Sequence, residues 1–495
     1  MYLLGYDIGT SSIKATLMDA GTQQVAASAT CPRKEMEILS PKDGWAEQHP
    51  ESWWQNLKAA TAEILAAGVN PADIAAIGIT YQMHGLVCVD RNRHVLRPSI
   101  IWCDSRAVEV GRRAAEKIGP DTCLEHLLNH PGNFTAAKLG WVKQNEPDTY
   151  KQIDKVMLPG DYIAMKMTDR IVTTVSGLSE GILWDFKESK TADIVLDALG
   201  ISPDLLAPTV DTFSNQGELT AAAAAELGLK AGTPIAYRAG DQPNNAFSLN
   251  VLNPGEIAAT AGTSGVVYGI GDKPNYDPRS RVNTFVHVNN TAKAHRNGVL
   301  LCLNGTGILN SWLKHNVANP GEDYAQMNAQ AATVPVGSAG LTILPFGNGA
   351  ERTLENNNIG ASIRGLNFNV HTRAHMLRAA QEGIVFALNY GLEIMRDMGV
   401  AIDTVRAGSA NMFLSPLFAS AFATVTGARV ELYNTDGSQG AARGAGVGAG
   451  VYKDFAAAFT GLKRTKTIES DPAQAAAYKE AYTTWQKALD SQLKV

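Results

Sequence analysis

Two glycine-hydroxyl triplets in the 495-residue sequence have the composition of phosphate-binding turns. Gly-Thr-Ser occurs at residues 9–11 between two extended apolar runs, and it recurs at residues 262–264 in the same setting. Because glycine has no Cβ, the backbone N–H groups and hydroxyls of such a turn can approach phosphate oxygens closely. Two turns facing each other across a cleft would hold one triphosphate, although either alone could be an ordinary hairpin.

Two aspartates follow predicted strands closely enough to act at the same cleft. Asp7 lies at the end of the first strand, beside its turn, and Asp241 lies between a strand and a helix. A carboxylate at the first position can hold a hydrated Mg²⁺, which prefers oxygen ligands. A carboxylate at the second can accept the proton of a hydroxyl that attacks a phosphate. The alternative for either residue is a structural one, in which the aspartate caps the following helix.

Other nucleotide-binding signatures are absent from the sequence. No GxxxxGK[ST] motif occurs, and the glycine-rich run GAARGAGVGAG at residues 440–450 does not have GxGxxG spacing before a suitable acidic residue. These absences disfavour a P-loop enzyme and a Rossmann dehydrogenase.

Composition restricts the partners and the compartment. The formal charge of −5 leaves no basic surface for nucleic acid, and no apolar run is long enough for a membrane span. The five cysteines are far apart and never in CxxC spacing, which argues against disulfides and zinc. Because the N-terminus also lacks a signal peptide, we expect a cytoplasmic protein. A homodimer is left open.

The elements that must position these residues are predicted by hydrophobic periodicity. Near the start, two strands, a helix and a strand follow one another, an order that indicates a mixed α/β layer. The hairpin with its Gly-Thr-Ser turn then repeats, so we expect two related halves, 1–245 and 246–495, although the repeated triplet could be chance. The predicted elements are strands at 2–7, 12–19, 74–80, 155–158, 234–238, 404–406 and 429–432, and helices at 50–67, 134–146, 371–398, from 441, and 473–493.

Eight segments together resemble the FGGY carbohydrate kinases, in the order and spacing of that family. They are GYDIGTSSIK (5–14), YQMHG (81–85), IIWCDSR (100–106), NFTAAKLGWVKQN (133–145), LPGDY (158–162), AGDQ (239–242), AGTSG (261–265), and ASIRGL with HMLRAAQEG (361–366, 375–383). The resemblance implies a two-domain actin-like, ribonuclease H-like ATPase fold with a central cleft, ATP and Mg²⁺ as cofactors, and domain closure when the sugar binds. It departs from the family pattern at Gln381 and at residues 406–413.

The same resemblance assigns roles to individual residues. Asp241 is similar to the family's catalytic base, and Asp7 to its metal-binding carboxylate. Residues similar to those that bind ATP are Gly9, Thr10, Ser11, Lys14, Gly262, Thr263, Ser264, Gly408, Ser409, Asn411 and Gly440. Residues similar to those that contact the sugar are Met83, His84, Trp102, Asp104 and Gln242.

Within the family, YQMHG and WCDSR are similar to the segments of xylulokinases. The resemblance therefore implies ATP-dependent phosphorylation of D-xylulose to D-xylulose 5-phosphate, as in xylose catabolism. Met83 and His84 could instead be core residues that follow a buried strand. Other acceptors (gluconate, ribulose or a tetrulose) and a non-kinase actin-like ATPase are the alternatives.

Overall fold

The computed structural model describes residues 1–494, which form two compact units. Unit 1 comprises Met1–Asn250, Phe285–Asn297 and Thr435–Leu462. Unit 2 comprises Val251–Thr284, Gly298–Asn434 and the residues from Lys463 onward. The first cut lies close to the predicted division after residue 245. However, a single boundary does not describe the chain, because unit 1 includes two segments from the second half.

The first 250 residues carry a five-stranded sheet and a series of short helices. The strands of this part of the chain, of which five form the large sheet and the rest form small two-stranded sheets, are β1 (Tyr2–Ile8), β2 (Ile13–Asp19), β3 (Val25–Cys31), β4 (Glu47–Gln48), β5 (Ile74–Tyr81), β6 (Val87–Val89), β7 (Ser99–Ile100), β8 (Lys155–Met157), β9 (Thr173–Thr174), β10 (Trp184–Asp185), β11 (Lys190–Thr191), β12 (Thr209–Val210) and β13 (Ile235–Gly240). Its helices are α1 (Pro50–Leu65), α2 (Val108–Ile118), α3 (Pro120–Leu127), α4 (Thr135–Asn145), α5 (Pro147–Gln152), α6 (Pro159–Thr168), α7 (Val175–Glu180), α8 (Asp193–Leu199), α9 (Ala221–Leu227) and α10 (Asp241–Ser248).

The remaining residues carry a seven-stranded sheet and the longest helices. The strands are β14 (Glu256–Ala261), β15 (Gly265–Gly271), β16 (Asn283–Val286), β17 (Asn297–Leu303), β18 (Thr342–Leu344), β19 (Ser362–Arg364), β20 (Thr404–Gly408), β21 (Arg429–Tyr433) and β22 (Arg464–Ile468). The helices are α11 (Gly307–Asn316), α12 (Tyr324–Ala332), α13 (Arg373–Asp397), α14 (Pro416–Thr426), α15 (Gly437–Gly448), α16 (Phe455–Ala458) and α17 (Pro472–Leu493). Helix α15 begins earlier than the predicted start at residue 441, because the side chain of Asp436 accepts a hydrogen bond from the backbone N–H of Gln439 and caps it.

The two large sheets repeat one strand order. The first runs β3-β2-β1-β5-β13, and the second contains β17-β15-β14-β20-β21, extended by β16 and β22 at its edges. In each, a hairpin (β1 with β2, β14 with β15) is antiparallel, and the next strands (β5 and β13, β20 and β21) pair in parallel. The two halves are therefore related in topology, as the repeated Gly-Thr-Ser triplet predicted.

Each unit has its own hydrophobic core. In unit 1, α1 buries Trp53, Trp54 and Leu57 beneath the first sheet. In unit 2, the buried face of α13 and the aromatic residues of α17, including Trp485, belong to one cluster with the second sheet. Burial of these apolar side chains is the main force that holds each unit together. No helix within the described residues 1–494 is long and apolar enough to cross a membrane.

Helix α15 explains why unit 1 includes residues from near the end of the chain. It packs against β1, β5 and β13 at very short range. A Cβ added to Gly5 would lie 1.9 Å from the carbonyl oxygen of Ser438, and one added to Gly78 would lie 2.0 Å from that of Ala441. The glycine- and alanine-rich composition of α15 therefore serves backbone-to-backbone packing on the sheet rather than nucleotide recognition by a glycine-rich loop.

Candidate active site

Asp241 stands at the junction of β13 and α10, as the sequence predicted. Its Oδ1 atom is buried and has no hydrogen-bond partner in the part of the chain that the structure describes. Burial raises the pKa of the carboxyl to about 7, although the backbone and side-chain amides of Gln242 lower it. A carboxyl group with a pKa near neutrality and one unengaged oxygen has the properties that a general base needs.

Asp7 lies near the end of β1, where it faces Lys14 across the β1–β2 hairpin. Its pKa is raised to about 7, first by burial and then by the negative charges of Asp241 and Asp436, while Lys14 lowers it. Asp436, the N-cap of α15, was not predicted as a site residue. The Nζ atom of Lys14 lies 2.6 Å from its Oδ2 atom. The sequence signal that could have revealed it is an Asp-Gly-Ser cap before a glycine-rich helix.

These three carboxylates and one lysine interact electrostatically within unit 1. After burial, repulsion from Asp241 and Asp436 is what raises the pKa of Asp7, and a bound cation would relieve that repulsion. Within residues 1–494, however, no cluster of three or more metal-ligand side chains has the geometry to hold an ion by itself. Magnesium commonly binds through one or two carboxylates and completes its shell with water and substrate phosphates, so the arrangement suits Mg²⁺.

Met83 and His84, which were predicted to contact the sugar, follow the end of β5. Met83 is buried, and His84 has a left-handed backbone with φ of 62°. The Nδ1 atom of His84 lies 2.9 Å from the carbonyl oxygen of Glu180, and its ring makes an edge contact with Phe134 at 4.8 Å between centroids. A positive φ at a non-glycine residue beside a strand end is typical of functional positions. The position of His84 is therefore fixed both by contacts of its ring and by the conformation of its backbone.

The other predicted sugar-contacting residues have different environments. The Trp102 side chain is 49% exposed, and its Nε1–H donates to the Oγ1 atom of Thr10 at 3.0 Å. Asp104 is fully buried, and both of its carboxylate oxygens already accept hydrogen bonds from Arg106, with a further one from the backbone N–H of Ala46. Asp104 therefore stabilises its own loop in this conformation, and its direct contact with an acceptor stays a prediction.

The first predicted phosphate turn is a tight hairpin held by hydrogen bonds. The backbone N–H of Gly9 donates to the carbonyl oxygen of Ser12 at 3.1 Å, and the carbonyl oxygen of Ser11 accepts from Met36 at 2.8 Å. The hydroxyl of Thr10 donates to Oε1 of Gln82 at 3.1 Å. The turn is therefore fixed in place by its neighbours within unit 1.

The second predicted turn, in unit 2, is joined to the start of α11. The backbone N–H groups of Gly307 and Ile308 donate to the carbonyl oxygens of Gly262 and Thr263 at 2.9 and 3.1 Å. A cavity of about 640 Å³ opens beside this contact. Its lining consists of Ala261, Gly262, Thr263, Gly307, Ile308, Asn310, Ser311, Tyr324, Asn328, Asn411, Met412, Leu414 and Ser415. A cavity of this size suits a nucleoside.

This cavity contains some of the residues predicted to bind ATP but not others. Gly262, Thr263 and Asn411 line it, whereas Ser264, Gly408 and Ser409 do not. Ser409 is engaged at the sheet edge instead, with its Oγ atom 2.6 Å from that of Thr465. Gly440 lies in unit 1, where an added Cβ would approach Ser248 to 2.6 Å, so its place in the structure is one of helix packing.

Gln381, where the sequence departs from the family pattern, supports the cavity wall. Its side chain is buried, and Nε2 donates to Oδ1 of Asn328 at 2.8 Å. Its Oε1 atom accepts from the hydroxyl of Ser415 at 2.8 Å. Asn328 and Ser415 both line the cavity, so one amide holds residues of two helices, α12 and the start of α14, in fixed positions. Sequence reasoning missed Tyr324, Asn310 and Asn328 because polar residues on helices carry no motif.

Comparison with known proteins places the chain in a family. The N-terminal domain model of the FGGY family of carbohydrate kinases matches residues 2–248, and the C-terminal domain model matches residues 257–451. A xylulose kinase of Bacillus subtilis (strain 168) is 31% identical over 410 residues, which is 82% of this chain and 79% of that protein. An L-xylulose/3-keto-L-gulonate kinase of Escherichia coli (strain K12) is 31% identical over 508 residues, which is 99% of this chain and 96% of that protein.

A solved structure shows the same fold. The crystal structure of a xylulose kinase from Rhodospirillum rubrum superposes with a TM-score of 0.89 at 27% identity, covering 99% of both chains. The predicted two-domain α/β architecture of the actin-like ATPase class is thereby confirmed. This chain belongs to the FGGY family of carbohydrate kinases and is an ATP-dependent sugar kinase.

Proposed function

We propose that this kinase phosphorylates D-xylulose to D-xylulose 5-phosphate, with Asp241 as the catalytic base. The observation that carries the proposal is the carboxyl of Asp241, which follows β13 and has one buried oxygen without a hydrogen-bond partner among residues 1–494. Met83, a predicted sugar contact, packs against the preceding residue, Gly240. The names of relatives support xylulose as the acceptor, because a protein that is 31% identical over most of this chain is a xylulose kinase.

The proposed reaction is a direct transfer. Oδ1 of Asp241 accepts the proton of the acceptor's terminal hydroxyl as that oxygen forms a bond to the γ-phosphorus of ATP. The bond between the γ-phosphorus and the bridging oxygen breaks, and ADP leaves with its electron pair. Because Asp241 must be ionised to accept the proton, turnover should rise with pH through the pKa of this carboxyl, near 7 in the unliganded protein.

The nucleotide side of the proposal rests on unit 2. The cavity beside Gly262 and Thr263 would take the nucleoside, with Asn411 and the residues that Gln381 holds forming its wall. When bound, Mg²⁺ supplies positive charge that neutralises the phosphate oxygens. Asp7, in unit 1, would hold the Mg²⁺. Lys14 pairs with Asp436 and thereby orients the carboxylate of Asp436.

Charges around the predicted acceptor residues favour an uncharged acceptor. The Nζ atom of Lys138 donates to the carbonyl oxygen of His84 at 2.8 Å, and burial lowers the pKa of this lysine to about 7. Arg238 is paired with Asp161 at 2.9 Å, and Arg106 is likewise paired with an aspartate. The two arginines are therefore neutralised by aspartates, and burial weakens the charge of the lysine near neutral pH. A carboxylate on the acceptor would find little spare positive charge among them.

The second candidate is an acceptor of the other configuration. The relative that spans 99% of this chain is an L-xylulose/3-keto-L-gulonate kinase, so L-xylulose is the principal competitor. The two ketopentoses differ only in configuration, and both are neutral, so the charge argument does not separate them. It does argue against 3-keto-L-gulonate and gluconate, which carry a carboxylate.

A coupled ADP-release assay with purified protein and MgATP tests the proposal. The panel should contain D-xylulose, L-xylulose, D-ribulose, erythrulose, gluconate and glycerol, with the variant Asp241→Asn as the matched control for background turnover. We expect the highest kcat/KM with D-xylulose and nearly none with gluconate. A higher kcat/KM with L-xylulose would reverse the configuration that we propose. A preference for gluconate would contradict the charge argument as well.

Two further expectations have no test in the structure. The cytoplasmic location, inferred from the pattern of cysteines and the N-terminal sequence, stays a prediction. The homodimer stays open as well, and light scattering of the purified protein would decide it.

A further inference from the structure

Glu180, the last residue of α7, is a buried acid that the sequence did not single out. Its side chain is 2% exposed, and neither carboxyl oxygen has a hydrogen-bond partner among residues 1–494. The hydroxyl of Tyr81 lowers its pKa, but this interaction is too long or too poorly aligned to satisfy either oxygen fully. Buried polar groups are nearly always hydrogen-bonded, so a carboxyl without a protein partner calls for an explanation.

The location of this carboxyl connects three predicted site residues. A Cβ added to Gly240, the residue before Asp241, would lie 2.6 Å from Oε2 of Glu180 and 2.6 Å from Cγ of Met83. The carboxyl therefore lies against the backbone that leads into the catalytic base, alongside a predicted sugar contact. The backbone carbonyl oxygen of Glu180 lies 2.9 Å from Nδ1 of His84. Only glycine at position 240 leaves room for this arrangement.

The surroundings of the Glu180 carboxyl favour its neutral form. Burial raises its pKa well above the ordinary value, and the charges of Asp241 and Asp161 raise it further. The hydroxyl of Tyr81 and the charge of Lys138 lower the pKa, but each has a smaller effect than burial. A protonated carboxyl has one O–H donor and a remaining acceptor oxygen, so it can recognise a hydroxyl or a keto oxygen.

We propose that Glu180 is a specificity-determining residue of the acceptor site, whose buried carboxyl forms a hydrogen bond to a hydroxyl or keto oxygen of a sugar bound against Met83. The inference rests on the proposed function and adds a recognition group to it. A site built to hydrogen-bond an acceptor oxygen discriminates strongly when the donor is lost, because the acceptor's oxygen is then buried unpaired.

A purely structural role would have the opposite energetic signature. An apolar side chain of the same shape would remove the buried carboxyl and its interaction with Tyr81. Because burial affects this carboxyl more than Tyr81 does, the free protein should be at least as stable. Functional groups of this kind commonly lower stability in exchange for activity. Stability and acceptor kinetics therefore give two independent measurements of what this carboxyl does.

The test compares Glu180→Met, which keeps the shape and removes the donor, with Glu180→Gln, which keeps a donor and an acceptor. We expect E180M to lower kcat/KM for the acceptor by about 10- to 100-fold, with the KM for ATP unchanged and a melting temperature at least equal to that of wild type. E180Q should stay within about threefold of wild type. The matched control is Thr61→Val, which removes a buried hydroxyl of unit 1 that bonds to Tyr6 and should alter stability without altering the acceptor KM.

Two results would overturn the inference. One is an E180M enzyme with unchanged acceptor kinetics, and the other is an E180M enzyme whose melting temperature falls while the KM values for acceptor and ATP rise together. Failure of the proposed function itself is distinct, because the wild-type enzyme would then show no preferred acceptor in the parallel panel, and the role of Glu180 in acceptor binding would be rejected with it.

Discussion

Replacing Asp241 with Asn should have opposite effects on catalysis and on stability. The substitution keeps the size of the side chain and removes both its charge and its ability to accept a proton. General bases contribute about 10²- to 10⁴-fold to turnover, so we expect kcat to fall by that range at pH 8. Nucleotide binding should persist, because the cavity that we propose for the nucleoside lies in unit 2 and Asp241 belongs to unit 1.

The stability effect follows from the direction of the pKa change. Burial raises the pKa of Asp241 from 3.8 to about 7, so the folded state holds a proton that the unfolded state has lost between these values. The wild-type protein should therefore be most stable below pH 4 as far as this group is concerned, and it should lose that contribution as pH rises through 7. At 1.36 kcal/mol per pH unit, the cost at pH 8 is at most about 4 kcal/mol.

An uncharged Asn avoids this cost, so D241N should be more stable than the wild type at pH 8. The advantage should shrink to about 1.6 kcal/mol at pH 5, because the unfolded state loses its proton above pH 3.8. Loss of the charge at Asp241 should also lower the pKa of Asp7, which that charge raises. Urea denaturation at both pH values measures the free energy of unfolding, and the coupled ADP-release assay measures kcat on the same samples. The reasoning is refuted if D241N keeps kcat within tenfold of wild type, or if it is less stable than wild type at pH 8.

Three further changes test other parts of the structure. Gln381→Leu should raise the KM for ATP several-fold without changing the acceptor KM, because it releases the cavity residues that this amide holds; equal changes in both would contradict it. Lys14→Met should raise the pKa of Asp7 and shift the acidic limb of the pH–rate profile upward, and an unmoved limb would count against a role for that carboxylate. Gly78→Ala should destabilise the protein by roughly 1–3 kcal/mol, because its Cβ meets the carbonyl of Ala441, and thermal unfolding would reveal no loss if that packing were wrong.

Local patterns in the sequence predicted much of this fold. The strands at 2–7 and 74–80 and the helix at 50–67 occur within one or two residues of their predicted limits. Alternation of apolar residues and helical periodicity act over short distances, so they can be read directly. The repeated Gly-Thr-Ser turn also indicated the shared topology of the two sheets. The family resemblance, confirmed over residues 2–248 and 257–451, then supplied the fold class.

The parts that sequence reasoning missed depend on contacts between distant residues. Asp436 pairs with Lys14, and Glu180 lies beside Gly240, in each case because folding brings together segments far apart in the chain. A lone acid before or at the end of a helix has the appearance of an ordinary cap or surface residue. Gly440 was assigned to the ATP site by the family resemblance, and that role stays a prediction. The structure shows the close packing of this glycine against Ser248, which the sequence alone did not indicate.

The return of α15 to unit 1 has a consequence for biosynthesis. The sheet of unit 1 is complete in sequence once β13 has been made, but the helix that packs against β1 and β5 follows only after the whole of residues 251–434. At synthesis rates of about 5–20 residues per second, the ribosome needs about 10–40 s to make that stretch. During this interval the nascent chain carries a sheet whose apolar surface lacks its cover, so it is a natural client for chaperones and the stage at which aggregation competes with folding.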